Sequence, residues 1–318
     1  MKRLVRLGLA AGLLGASFVE AQAQFPTFRT ETELVNLNVT VVGSDAQPVQ
    51  GLTQDQFEVY EDGVRQQLEF FAPGQMPLDV VILLDTSASM AGSLGLVQAA
   101  AVRFAEALRP QDRAAVMGIS NGLRILQTFT TDKAVVADAI RQTNAGGRTP
   151  LYSSIYTALC QLEKLQEDNV EPRRQAMVVL SDGSDTASGF GFVELMNVVH
   201  RHAVPIYTIA PRPSATIKAQ REAAFGETTR EQDFELRKLA GDTGARAFFP
   251  VTIHELTGIY SDIANELAHQ YSLGYQSSNS NDRGFRRIAL RVAAPGVKWR
   301  TRSGYISADT ALVGADLR

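Results

Sequence analysis

LDVVILLDTSAS, residues 78–89, decides the fold class of this chain. An apolar run of strand length ends on Asp85, with Ser87 and Ser89 directly behind it. The run does not alternate between apolar and polar side chains, which is the signature of a strand covered on both faces. Three more runs of this kind follow: RAAVMGIS (113–120), QAMVVLSD (175–182) and VPIYTIAP (204–211). Helical stretches separate them, at about 94–108, 133–142, 151–167, 190–202, 232–241 and 254–269. Buried strands alternating with helices of this length predict right-handed crossovers on a doubly wound, mostly parallel α/β sheet. Asn121-Gly122 turns the chain into LRILQTF (123–129), which predicts a short antiparallel strand at one edge.

The two ends of the chain read differently. LVNLNVTVV (34–42) alternates and predicts a strand with one solvated face, and FEVYEDGVRQQLEFF (57–71) reads as a hairpin turning at Glu61-Asp62-Gly63. YSLGYQSS (271–278), RRIALRVA (286–293) and KWRTRSGYI (298–306) return to strand character at the far end. Neither set suffices for a core alone, so the two together predict a small β-sandwich-like module. Residues 1–23 carry Lys2, Arg3 and Arg6, then an apolar stretch, then Ala21 and Ala23, as a secretory signal peptide does. The expected division is therefore a signal peptide (1–23), the first part of the β module (24–75), the α/β domain (76–270), the strands completing the module (271–309) and a tail (310–318). RPSATIKAQREAAFGETTRE (212–231) fits no element well and reads as an inserted, partly helical loop.

Composition narrows the function. Without residues 1–23 the formal charge moves from −3 to −5, so a broad basic surface for nucleic acid is not expected. No later stretch reaches membrane-spanning length without charge, so the mature chain is expected to lack a transmembrane segment and to be periplasmic or secreted. Cys160 is the single cysteine, which rules out an intramolecular disulfide, and its helical spacing places it among apolar neighbours.

The chemistry gathers at the ends of the buried runs. Asp85 and Asp182 close two of them, and in a doubly wound sheet both can project into the crevice at the strands' carboxyl ends. Ser87 and Ser89 lie two apart in a tight loop, and Thr149 sits between Gly146-Gly147-Arg148 and Pro150 at the start of a helix. Two carboxylates and three hydroxyls form an oxygen-only set suited to a hard divalent ion, Mg²⁺ first, with Mn²⁺ or Ca²⁺ also acceptable. Direct contact is expected from Ser87, Ser89 and one of Thr149 or Asp182, while Asp85 acts through water or accepts hydrogen bonds from the two serines. The ion then carries little first-contact charge and can take a carboxylate from a protein or peptide partner. Asp185 is a candidate for orienting the site or for capping the helix near residue 190.

Asp85-Thr86-Ser87-Ala88-Ser89 after a strand, a lone Thr149 before a helix, and Asp182-Gly183 at a later strand end together resemble the von Willebrand factor type A domain. The resemblance covers roughly residues 76–272. It implies a six-stranded, mostly parallel sheet and a metal-ion-dependent adhesion site at these positions, engaging an acidic residue of a protein partner. The preceding layout, with Leu52, Thr53, Phe57, Val59, Glu61, Asp62 and Gly63, also resembles the VWFA-related proteins common in Acidobacteria.

Other functions find less support. DTSAS is no nucleophile elbow, and His200, His202, His254 and His269 lie far from it in sequence. His200 and His202, two apart on a helix, are not expected to converge on one metal. The chain is therefore not expected to be an enzyme. Two alternatives share the oxygen-ligated ion: an envelope scaffold whose metal only stabilises the fold, and a Mg²⁺-dependent phosphoesterase. The latter would need a second metal or a cationic clamp, and no phosphate-binding loop motif is present.

Overall fold

A computed structural model describes residues 34–74, 76–168, 171–212, 230–278 and 284–307. The expected signal peptide, the body of the 212–231 insertion and the tail lie outside these residues.

The central sheet has six strands: β5 (Leu78–Asp85), β6 (Arg113–Ile119), β7 (Leu123–Thr130), β8 (Arg174–Leu180), β9 (Ile206–Ile209) and β10 (Ala247–Phe248). Their order across the sheet is β10-β9-β8-β5-β6-β7. All neighbours are parallel except β7, which returns antiparallel along the edge of β6 as the Asn121-Gly122 turn predicts. Every residue of β5 and β8 is buried, because helices cover both faces. On one side lie α1 (Leu94–Ala107), α2 (Lys133–Arg141) and α6 (Ile253–Ala268), where Val97, Phe104, Ile140 and Tyr260 meet Ile82 and Leu84. On the other lie α3 (Leu151–Asp168), α4 (Phe192–Val199) and α5 (230–242), whose Ile155, Leu159, Leu195 and Leu239 pack on Leu83 and Val179. Each fully buried aliphatic side chain contributes about 1.5–3 kcal/mol, and continuous apolar strands are the only ones that can supply both layers at once.

The polar exception inside β5 is Asp79, wholly buried and held by Arg113 (2.7 and 2.6 Å) and Arg173 (2.7 Å). It lies at the start of the strand, opposite the end that carries Asp85.

Strands from both chain ends form two antiparallel sheets. One has the order β13-β1-β11-β4 and the other β14-β12-β2-β3, where β1 is Leu34–Val42, β2 Phe57–Glu61, β3 Val64–Gln66 and β4 Leu68–Pro73. The C-terminal partners are β11 (Tyr271–Gln276), β12 (Phe285–Val292), β13 (Lys298–Arg300) and β14 (Gly304–Ile306). β12 alternates exposed and buried at every step, and Leu37, Val39, Val59, Tyr275 and Leu290 share the core between the sheets. Asp62 (φ 48°) and Gly63 (φ 85°) make the predicted hairpin turn, the left-handed pair that fits strand twist. The return strand differs from the sequence reading: it breaks at Gln67, so β3 stays with β2 while β4 crosses to pair with β11. One hairpin thereby staples both sheets. Glu61 is buried between them, accepting from Tyr275 (2.8 Å), Ser277 (2.6 Å), Tyr305 (3.0 Å) and Arg286 (3.1 Å).

Candidate functional site

Across the sheet order, the chain moves one way from β5 to β6 and the other way from β8 to β9 and β10. The reversal falls between β5 and β8, and crossovers diverge above the carboxyl ends of the strands there. Leu84 is level with Leu180 in the β5–β8 register, so the next residues, Asp85 and Ser181, are side by side. The Ser181 hydroxyl donates to Asp85 Oδ2 at 2.6 Å and the Ser87 amide to Oδ1 at 2.9 Å. Of the two roles expected for Asp85, acting through water or accepting hydrogen bonds from Ser87 and Ser89, the bond from Ser87 is present through its amide. The Ser89 hydroxyl lies 3.0 Å from that of Ser87 instead.

Three loops meet above this point. The Gly146 amide donates to the Thr86 carbonyl (2.7 Å) and the Ala88 amide to the Gly147 carbonyl (3.1 Å), joining the DTSAS loop to the GGRT loop. Thr149 is joined to the third loop by two bonds: its amide donates to Thr186 Oγ1 (3.0 Å) and its carbonyl accepts from the Thr186 amide (2.9 Å). Asn121 braces the middle loop from the β6–β7 turn, its amide donating to the Arg148 carbonyl and its Oδ1 accepting from the Arg148 amide, both at 2.9 Å. Gly147 makes that brace possible. Its φ is +82°, and a Cβ there would lie 2.6 Å from Ser120 Oγ and 2.7 Å from the side-chain nitrogen Nδ2 of Asn121.

Burial grades across the cluster. Asp85, Ser87 and Thr149 are buried, Asp182 is half-buried and Ser89 is exposed, so the cluster opens to solvent on one side. Asp182 Oδ1 accepts from the Ser184 amide (3.0 Å), and its carbonyl from Arg212 (2.9 Å). Burial pushes the Asp85 carboxyl above its ordinary value, the bonds from Ser181 and Ser87 pull it back down, and the charge of Asp182 raises it again. A carboxylate in that position is short of positive charge, and a hard cation would relieve it. Among the described residues no group of three or more His, Cys, Asp and Glu could hold a metal. An ion at these loops would draw on hydroxyl oxygens from Ser87, Ser89 and Thr149 together with the two carboxylates. The donor set fits Mg²⁺ in kind.

Asp185 serves the loops around the site rather than the helix near residue 190. Its Oδ2 accepts from the Tyr152 amide (2.9 Å) at the start of α3, and its Oδ1 from the amides of Ala187 (3.2 Å) and Ser188 (3.0 Å). It caps α3, which carries Thr149 at its entrance, and leaves the helix after residue 190 uncapped by its side chain. Ser181, Thr186 and Asn121 were not singled out by the sequence. Ser181 carried a signal in its seat beside Asp182 at a strand end, and Asn121 only one for the edge turn.

The histidines stand elsewhere. His200 Nε2 is 3.2 Å from Asp242, and His202 is half-buried beside it, both lining a cavity of about 10 Å³ with Asn38 and Arg302. His269 Nδ1 is 2.7 Å from the Asn265 carbonyl, and the His254 side chain lies outside the described residues. Cys160 is only partly buried on α3 rather than in the core. No helix among the described residues is long and apolar enough to cross a membrane.

Residues 80–184 match the family model of the von Willebrand factor type A domain. A UPF0353 protein of Mycolicibacterium gilvum is 23% identical over 232 residues, covering 68% of this chain and 66% of its own length. One from Mycobacterium tuberculosis is 24% identical over 234 residues, covering 68% of each. The matched part thus spans about two thirds of these relatives. Among solved structures, a von Willebrand factor type A protein from Catenulispora acidiphila aligns with a TM-score of 0.47 and 10% identity, over 88% of this chain and 75% of that one. The conserved hypothetical protein BatB from Bacteroides thetaiotaomicron aligns with a TM-score of 0.43 and 13% identity, over 59% and 98%. The matched stretch runs from β5 to the loop after β8 and contains Asp85, Ser87, Ser89, Thr149 and Asp182. The α/β part of this chain is thus a doubly wound sheet similar to the von Willebrand factor type A domain.

Proposed function

We infer that this chain is an exported protein-binding module that engages an acidic residue of its partner through a Mg²⁺-type ion held at Ser87, Ser89, Thr149 and Asp182, with Asp85 behind them. The observation that carries this reading is the meeting of three hydrogen-bonded loops at the switch point of the sheet, around a buried carboxylate whose proton affinity is raised. A bound divalent ion supplies an electropositive position that an outside carboxylate can complete. The chain's own residues do the rest. Ser181 and the Ser87 amide fix the Asp85 carboxylate, Thr186 and Asn121 fix the loop bearing Thr149, and the exposed Ser89 keeps the approach open.

The general role proposed is protein binding through this constellation of hydroxyls and carboxylates. Membership of the VWFA-related group and periplasmic or secreted residence belong to the same proposal, resting on the motif before β5 and on the first 23 residues. The test is a pull-down from cell-envelope extract in Mg²⁺, in EDTA and with Asp85→Ala. Partners should be retained only by wild-type protein in Mg²⁺, with circular dichroism showing the fold intact in EDTA. Retention under all three conditions rejects metal-mediated binding, and unfolding in EDTA assigns the metal a purely structural role.

A further inference from the structure

Arg148 is the one residue of the GGRT loop whose side chain points outward with charge. It is exposed, and its neighbours on either side are committed to the site: the Gly147 carbonyl holds Ala88, and Thr149 is a candidate ligand. Its backbone is pinned at both ends by Asn121, amide to Oδ1 and carbonyl to amide, each at 2.9 Å. Its guanidinium donates to the Thr186 carbonyl, in the same residue that grips Thr149 from the third loop. The chain thus spends a left-handed glycine, an asparagine at φ 56° and a bridging carbonyl on fixing one exposed cation. No carboxylate pairs with it among the described residues, and a single carbonyl uses only part of a planar, five-donor group.

A pre-positioned arginine with donors to spare is the standard recogniser of a carboxylate, because its fork matches the two oxygens. The Arg148 backbone is one residue from Thr149, and its guanidinium is held at the carbonyl of Thr186, the residue bonded to Thr149. We propose that Arg148 is a second anchor for the partner, so that the surface recognised is a pair of acidic residues rather than one: the first carboxylate completing the ion, the second pairing with Arg148. This rests on the metal-site reading above and adds the chemical class of the partner.

Two synthetic peptide probes distinguish the cases: Ac-GGDGGG-NH₂, with one carboxylate, and a set of the same length with a glutamate one to three residues after the aspartate. Binding is measured by calorimetry in Mg²⁺ with the full chain. Wild-type protein should bind at least one diacidic peptide about tenfold more tightly than the monoacidic one, the scale of a charge-assisted pair. Arg148→Ala, its fold checked by thermal midpoint, should bring the diacidic peptide to the level of the monoacidic one, and Arg148→Lys should restore part of the difference. Equal affinities in a Mg²⁺-loaded wild-type protein, no binding of either peptide, or a preference that survives Arg148→Ala each overturn the proposal. Mg²⁺ titrated alone into wild-type protein tests the underlying site separately, and its failure to bind sinks the metal reading itself.

Discussion

Replacing Asp85 by Asn should abolish the effect of Mg²⁺ on stability. Asp85 is wholly buried, and in the absence of a cation its charge is opposed by burial and by Asp182. Asn keeps an acceptor for the Ser87 amide. It presents an amide hydrogen to the Ser181 hydroxyl, which can accept it alongside the bond already accepted from the Gly183 amide at 3.1 Å. Metal-free Asp85→Asn should therefore be as stable as wild type or more so, by about 1 kcal/mol. In Mg²⁺ the order reverses. A ligand at a hundred times its dissociation constant stabilises the native state by about 2.7 kcal/mol, which for a chain of this size raises the midpoint by roughly 4–5 °C. Wild type should show that shift and Asp85→Asn should not. The sign with pH follows from the raised pKa. The native state keeps a proton on Asp85 that the unfolded chain loses near 3.8, so the metal-free contribution is fully present below that value and is lost as pH rises through the folded value. The Mg²⁺ increment grows over the same window, because ion and proton compete for one carboxylate. Differential scanning fluorimetry with and without Mg²⁺ at several pH values reads all of this. A full Mg²⁺ shift in Asp85→Asn, or none in wild type, would refute the reasoning.

Two further outcomes concern the frame around the site. His202 is pushed down to about 4 by burial first, then by the charges of Arg201 and Arg302. It stays neutral in the native state where the unfolded chain takes up a proton near 6.5, so its share of stability is complete above that value and falls away toward pH 4. The loss is on the order of 3 kcal/mol, and urea titrations at pH 7 and 4.5 should show a smaller difference for His202→Gln than for wild type. Glu61→Leu should cost about 3–5 kcal/mol, because it removes the buried acceptor that Tyr275 and Tyr305 share. Chemical denaturation of this variant that matches wild type would show that the buried acceptor is dispensable.

The sequence carried the α/β architecture because its strands are buried on both faces, and only unbroken apolar runs satisfy that environment. LDVVILLD and QAMVVLSD name their own class, and the carboxylates that close them mark the end of the sheet where a site can form. The antiparallel edge was legible too, from Asn121-Gly122, since few residues tolerate that turn. The pairing of both chain ends followed from each being too small to make a core. What pattern could not reach were contacts between residues distant along the chain. The register of β5 against β8 sets Ser181 beside Asp85; the asparagine that makes the edge turn also clamps Arg148; Asp185 caps α3 across the crevice; and a hairpin strand changes sheets at Gln67. Periodicity along one segment reports which face is covered and by how much. It is silent on which polar atom lies opposite, because a hydrogen bond between loops depends on three-dimensional register and leaves no trace in spacing. The sequence by itself determined the sheet, its cover and the residue types of the site; only the tertiary structure decided how the three loops are bonded together and which side chains hold them.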